Sequence, residues 1–294
     1  MEIEEEEKSV EREGERLVPV EEAWPYPGGD PAYSVTADDE GRYRLERVVP
    51  GVYDIYCFDA DAEPDFAVAV ELAAGETVVR DFTLYPMMEV EKPNIYLYPV
   101  ETELITVTLG FPQGGEVTVS EPAYESVWRF FADPDGTLRE VQELHWDTPD
   151  GSGHALEPRP EPIHEYLFYE AAAPDRWQRE AGWVVATENL ETFFRETLAH
   201  IGFYDNEIED FVEWWVPRLD EAPFYAIYPQ FNDTVGAVIE LALTPRPHSL
   251  IRVFFLIEDI EGPCELLEPL IPAYEAGGFT VHEWGVARDE GRVK

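Results

Sequence analysis

The sequence predicts a mainly β protein: an antiparallel β-sandwich at the N-terminal end, then an α+β domain in which an antiparallel sheet carries a helical hairpin. Three observations predict it. Up to residue 86, short runs of alternating apolar and polar residues are separated by Gly- and Pro-containing turns. Between about 190 and 217 the apolar period switches to that of a helix, twice in succession. After that the strand-like alternation returns.

Taken in order, residues 1–15 form an acidic arm, "MEIEEEEKSVEREGE", read as a solvated tract. Residues 16–86 form the predicted sandwich. Tyr33 and Val35 alternate with polar neighbours, as do Tyr43 and Leu45, on either side of a turn at Asp38–Gly41. Further turns fall at Pro50-Gly51 and Ala74–Glu76. Residues 87–91 read as a linker, 92–287 as the second domain and 288–294 as a tail.

The second domain opens on "KPNIYLYP", 92–99. Its two prolines confine a strand to about Asn94–Tyr98 and favour an edge or first-strand position. Ile95 and Leu97 share one face, Tyr96 and Tyr98 the other, and both faces are expected to be covered. Strands follow near 103–110 and 116–120, and a turn at Asp133–Gly136 joins a hairpin. The Pro- and Gly-dense segment 147–164 is expected to be a long loop.

Leu190, Phe193, Phe194, Leu198 and Ile201 define the apolar face of a first helix, capped by Asn189 or Thr187 and ended by Gly202. A second begins with a capping box of Asn206 and Glu209, buries Ile208, Phe211, Val212 and Trp215, and stops at Pro217. Strands are expected again near 224–228, 236–243, 250–257 and 279–284.

Charge excludes some classes of function. With 63 acidic against 20 basic residues, the net charge of −43 repels phosphate backbones and anionic lipid, so no nucleic-acid partner is expected. No apolar run is long enough to span a bilayer, so no membrane insertion is expected either. Lysine occurs only at Lys8, Lys92 and Lys294, and an acidic, lysine-poor chain fits a salt-adapted (halophilic) setting. Cys57 and Cys264 read as buried free thiols or as one long-range bridge.

Candidate chemistry centres on Glu170 and Glu283, which close the aromatic runs "YLFYE" and "HEWG". Desolvation there raises a carboxyl pKa, and a carboxylate pair across a cleft would suit glycoside hydrolysis. The alternative reading makes each an outward strand residue or the satisfied partner of an arginine such as Arg252. His164, His282 and Glu283 could share a metal, but their spacing fits no zinc motif. Asp59, Asp61, Glu63 and Asp65 alternate as hard oxygen ligands for Ca2+, without the glycine and distal glutamate of an EF-hand. No nucleophile elbow, P-loop or dinucleotide fingerprint is present. The reading is therefore no catalytic residue, no cofactor and no metal, with Glu170, Glu283 and His282 as weak catalytic candidates.

Two resemblances add to this. "ADDEGRYRLERVVPGVYDIY…VELAAGETVVRDFTL" resembles a carboxypeptidase regulatory-like domain, a transthyretin-like sandwich, over about residues 9–86. It implies a non-catalytic accessory fold. The pieces "KPNIYLYP", "YLFYE", "FFRETLAHIGF…EIEDFVEWWVPRL", "LTPRPHSLIRVFF" and "GGFTVHEWGV" together resemble an uncharacterised prokaryotic surface- and lipoprotein-associated family over about 91–287. Tyr169 stands where a Trp is common in that family and Val286 where a Gly is common. No export signal precedes the sandwich in the sequence given, which leaves a cytoplasmic location as the alternative.

The resemblance implies a cell-surface or extracellular setting. The expected function is a non-enzymatic structural or adhesion protein with a glycan or protein partner, assembling as a homo-oligomer or filament by strand addition. A glycan hydrolase using the Glu pair and an intracellular salt-adapted protein are the alternatives.

Overall fold

The structure is a computed structural model that describes residues 10–12, 33–59, 62–148, 151–274 and 277–289. The acidic arm and the tail fall mostly outside these residues. The chain divides into two compact units, 1–87 and 88–294.

In the first unit, β1 (Val10–Arg12) pairs antiparallel with β2 (Tyr43–Arg44) and parallel with β5 (Val78–Val79). Strands β3 (Gly51–Asp59) and β4 (Ala62–Leu72) form an antiparallel hairpin. Tyr43, Val48, Ile55, Cys57, Val70, Leu72, Val78 and Phe82 make one core, with Tyr33 and Val35 packed against it outside any strand. The turn at Asp38–Gly41 forms as expected: Gly41 takes φ 76°, and Asp38 Oδ1 accepts the Glu40 and Arg42 N–H groups. The fold is sandwich-like and β-rich, with one parallel pairing that the alternation did not announce.

The second unit stacks two sheets and a helical layer. The larger sheet runs β13 (Trp183–Ala186), β14 (Phe224–Phe231), β16 (Ser249–Ile260), β17 (Thr280–Asp289), β6 (Tyr85–Tyr98), β12 (Leu167–Pro174), β8 (Glu116–Glu121). The smaller runs β11 (Gly151–His164), β10 (Leu138–Thr148), β9 (Trp128–Ala132), β7 (Glu103–Gly110), β15 (Glu240–Thr244). The smaller sheet pairs antiparallel throughout, as do β13–β14, β14–β16, β17–β6 and β12–β8 in the larger, whereas β16 and β17 pair parallel. One core contains Ile95, Leu97, Tyr169, Phe254 and Val281 from the larger sheet together with Ile105, Val107, Trp128 and Phe130 from the smaller. The opposite face of the larger sheet carries Tyr96, Val253, Phe255 and Trp284, packed on helices α1 (Leu190–Ile201) and α2 (Asp205–Trp215).

Several expectations need correction. Residues 147–164 are not a loop but largely strand, since β10 and β11 form a long hairpin. Its prolines are tolerated because β11 is the outer strand, whose free side needs no N–H donor. Residues 87–91 belong to β6, where Val90 pairs with Ala287 and Glu91 with Val286. Nor is β6 an edge: it lies between β17 and β12. Pro93 is accommodated there by a bulge, in which Lys92 and Pro93 together oppose only Gly285. A Cβ at Gly285 would lie 3.1 Å from Pro93 Cγ and 3.2 Å from the Phe254 ring, so the proline and the glycine are matched. Of the segment 236–243, the first part is helix α3 (Asn232–Val238), which turns Val235 and Val238 into the core between the sheets.

The helices begin differently from expectation as well. No side chain caps α1, because the Thr187 hydroxyl donates to the Ala222 carbonyl instead. Gly202 ends it as expected, at φ 117° with its N–H on the Leu198 carbonyl. The start of α2 is secured two residues earlier than Asn206 and Glu209, by Glu207 accepting the Tyr204 N–H at 2.7 Å. Glu209 faces outward to Arg195.

Candidate functional site

Successive residues of a strand point to opposite faces, and β17 uses this to send His282 and Glu283 apart. Glu283 enters the core between the sheets, fully buried, where Arg252 Nε donates to Oε2 and the Tyr169 hydroxyl donates to Oε1 at 2.7 Å. Arg252 also donates through Nη1 to the Ile239 carbonyl (2.8 Å), while Asn232 Oδ1 accepts its backbone N–H (2.7 Å). Burial and the adjoining Glu283 carboxylate push the Tyr169 phenol well up, so it stays a donor. The arginine reading of Glu283 is thus the one the geometry bears out.

Glu170 follows Tyr169 in β12 and takes the opposite face. The alternating burial along Leu167–Ala173 places Tyr169 in the closed core and Glu170 on the half-open side. The sheet therefore separates Glu170 from Glu283, and the cleft expected to join them does not form. His164 lies edge-on to Phe130 at 5.7 Å in the smaller sheet, apart from both His282 and Glu283.

Of the four Ca2+ candidates, Asp61 lies outside the described residues, as does the side chain of Glu63. Asp65 spends its oxygens on backbone N–H groups, Oδ1 on Phe66 (2.8 Å) and Oδ2 on Thr83 (3.0 Å). Asp59 is paired in register with Ala62 in the hairpin. Among the described residues no three metal-ligating side chains converge. Cys57 and Cys264 are not bridged to one another: Cys57 is buried and Cys264 is exposed beside a shallow groove at Trp183, Val184 and Leu266.

The concentration of polar chemistry is on the helical face of the larger sheet, of which the candidate site residues read from the sequence include only His282. Helix α2 presents Glu207, Asp210 and Trp214 at i, i+3 and i+7, hence along one side. Each meets a side chain of the opening stretch of the domain. Glu207, fully buried, accepts from the Tyr98 hydroxyl (2.9 Å) and from His282 Nδ1 (2.8 Å), besides the Tyr204 N–H. The rings of Tyr98, Phe203 and Tyr204 close around the His282 imidazole at 4.8–5.8 Å. Asp210 accepts from the Tyr96 hydroxyl (2.8 Å), which in turn accepts from Asn94 Nδ2 (3.3 Å). Burial pushes both tyrosines' pKa up, which keeps them donors, and burial likewise raises the Asp210 carboxyl.

The third rung is Lys92, whose ammonium lies 4.2 Å from the Phe168 ring centroid, 4.9 Å from Trp214 and 5.1 Å from Tyr166. Three rings of this kind make an aromatic cage for a cation. Arg218 stacks on Trp214 as well, at 3.8 Å. Lys92 occupies the bulge at φ 55°, a left-handed conformation that costs a non-glycine residue about 1–2 kcal/mol. Burial lowers its pKa, against the opposing pull of Asp210, Glu170 and Glu121.

The available signal for this site was in the sequence: one lysine in 92–287, set four residues before the first of two alternating tyrosines. Its partners on α2 lie more than a hundred residues away and carry no mark in the sequence. The fold and these two networks define a β-rich protein whose buried charges are paired internally. Comparison with known proteins finds no matching family model, no matching curated protein and no matching solved structure.

Proposed function

We propose that this protein is a non-enzymatic structural or adhesion component of the cell surface or extracellular space, with a protein or glycan partner. The observation that carries this reading is the disposition of the candidate acid–base residues. Glu283 and His282 are each nearly or wholly buried and saturated, by Arg252 and Tyr169 in one case and by Glu207 in the other. Groups so placed organise a core; a substrate cannot reach them. The surface setting rests on the family resemblance of the five sequence pieces.

Assembly by strand addition is part of the proposal, and the sheet ends differ in their fitness for it. Pro158, Pro160 and Pro162 blunt β11, and a bulge at Thr118 distorts β8. The outer edge of β15 has five regular residues and neither device, and it supports addition best. Size-exclusion chromatography and negative-stain imaging over a salt series test assembly, and a monomer under all conditions overturns that part. Protease shaving of intact cells tests location: recovery only from lysed cells overturns the surface setting. Glycan hydrolysis by the purified chain that disappears in Glu170→Gln overturns the non-enzymatic reading.

A further inference from the structure

We infer that Lys92 is a covalent capture site for small carbonyl compounds, forming an iminium ion with an aldehyde inside the cage of Tyr166, Phe168 and Trp214. Three independent features converge on this amine. Its backbone is held in the left-handed region at a bulge, a position that glycine fills without strain, so the lysine side chain is retained against the local conformational preference. Its Nζ is half-enclosed by rings contributed from both β12 and α2, which desolvates the amine while leaving it reachable. It is also the one lysine among the described residues, whose other cations are arginines and histidines.

The cage selects the type of chemistry. Acylation of the amine would abolish its charge and leave Asp210, Glu170 and Glu121 without the cation that faces them. Condensation with an aldehyde preserves that charge. The ammonium first yields a proton, relayed by solvent, to the Asp210 carboxylate, and the free lone pair attacks the carbonyl carbon to give a carbinolamine. Asp210 returns a proton to the hydroxyl, which leaves as water as the C=N bond forms. In balance, an ammonium and an aldehyde give an iminium and one water, with no oxidant or reductant. The product cation keeps its place over the three rings. Burial supports both roles, lowering the amine's pKa and raising that of the Asp210 carboxyl.

The test uses the whole chain, propanal as the probe, and cyanoborohydride to supply the hydride that fixes the iminium as a secondary amine. Peptide mass spectrometry then compares Lys92 with Lys8 and Lys294, which serve as internal references. Lys92 is expected to be alkylated several-fold faster than either at neutral pH, the direction that desolvation of its amine gives. Asp210→Asn should slow Lys92 alone, and Trp214→Leu should bring the ratio toward one. Labelling of Lys92 equal to or slower than that of Lys8 and Lys294 in the wild-type chain overturns the proposal. So does an Asp210→Asn chain that is folded by circular dichroism and labels unchanged or faster, since loss of the Asp210 charge by itself eases release of the proton.

Discussion

Replacing Glu283 by glutamine changes one buried charge and almost no volume. The amide keeps a single acceptor oxygen, so it no longer accepts from both Tyr169 and Arg252, and the larger loss is the neutralisation of a guanidinium that is 2% exposed. After the change, the Ile239 carbonyl is the remaining strong acceptor on Arg252, and it carries only a partial charge. Breaking a buried pair in this way costs about 3–5 kcal/mol. For a unit of this size, that lowers the melting temperature by about 10 °C. All tryptophans except Trp24 lie in the second unit, and Trp284 adjoins the substituted residue, so tryptophan fluorescence in urea follows the correct transition. The double replacement Arg252→Met with Glu283→Leu should recover most of the loss, because it removes both charges and leaves apolar groups in an apolar core. A loss below about 1 kcal/mol for Glu283→Gln, the size expected of an exposed pair, would refute the argument that this network is sealed from solvent.

Two further outcomes follow from the sheet and the ladder on its helical face. Gly285→Ala should destabilise by about 1–3 kcal/mol in urea titrations, since its methyl group meets Pro93 and Phe254 at 3.1–3.2 Å inside a packed bulge. Pairing it with Pro93→Ala should return part of that loss. Asp210 gives a pH dependence of defined sign: burial raises its carboxyl pKa in the fold, so the folded chain holds the proton after the unfolded chain has released it. Its stabilising contribution is present at low pH and is lost as pH rises from the ordinary carboxylate range through the folded pKa. The urea midpoint of Asp210→Asn, measured against wild type across that window, should therefore improve steadily with pH; a constant difference would contradict this.

What could be read in the sequence was what is local. The helices declared themselves through Leu190, Phe194, Leu198 and Ile201, and through Ile208, Phe211, Val212 and Trp215, all of which are buried. The alternation in Ile95–Tyr98 gave both faces correctly. The hairpin of β10 and β11 was hidden because Pro158, Pro160 and Pro162 mark loops locally and become acceptable only once the strand is known to be outermost. The interior position of β6 was hidden for a related reason: Gly285, nearly two hundred residues on, makes room for Pro93. At the site, the two-residue period alone separates His282 from Glu283. Nothing in the sequence, however, ties His282 to Glu207, Tyr96 to Asp210, or Lys92 to Trp214, since those ties are made by the docking of α2.

The place of β17 has a consequence in time. It is the last strand of the chain among the described residues, yet it sits in the middle of the larger sheet, between β16 and β6. As the chain emerges from the ribosome, β6 appears first of the larger sheet's strands and must wait for almost the whole second unit before its neighbour β17 exists. Until then β6 and β16 each present a raw hydrogen-bonding edge lined by Ile95, Leu97, Phe254 and Phe255. Closure depends on pairing between distant parts of the chain, which is slow and leaves the nascent form prone to aggregation. The guarded rim of the finished sheet is acquired only when its centre, the last of that sheet's strands to be synthesised, slides into place.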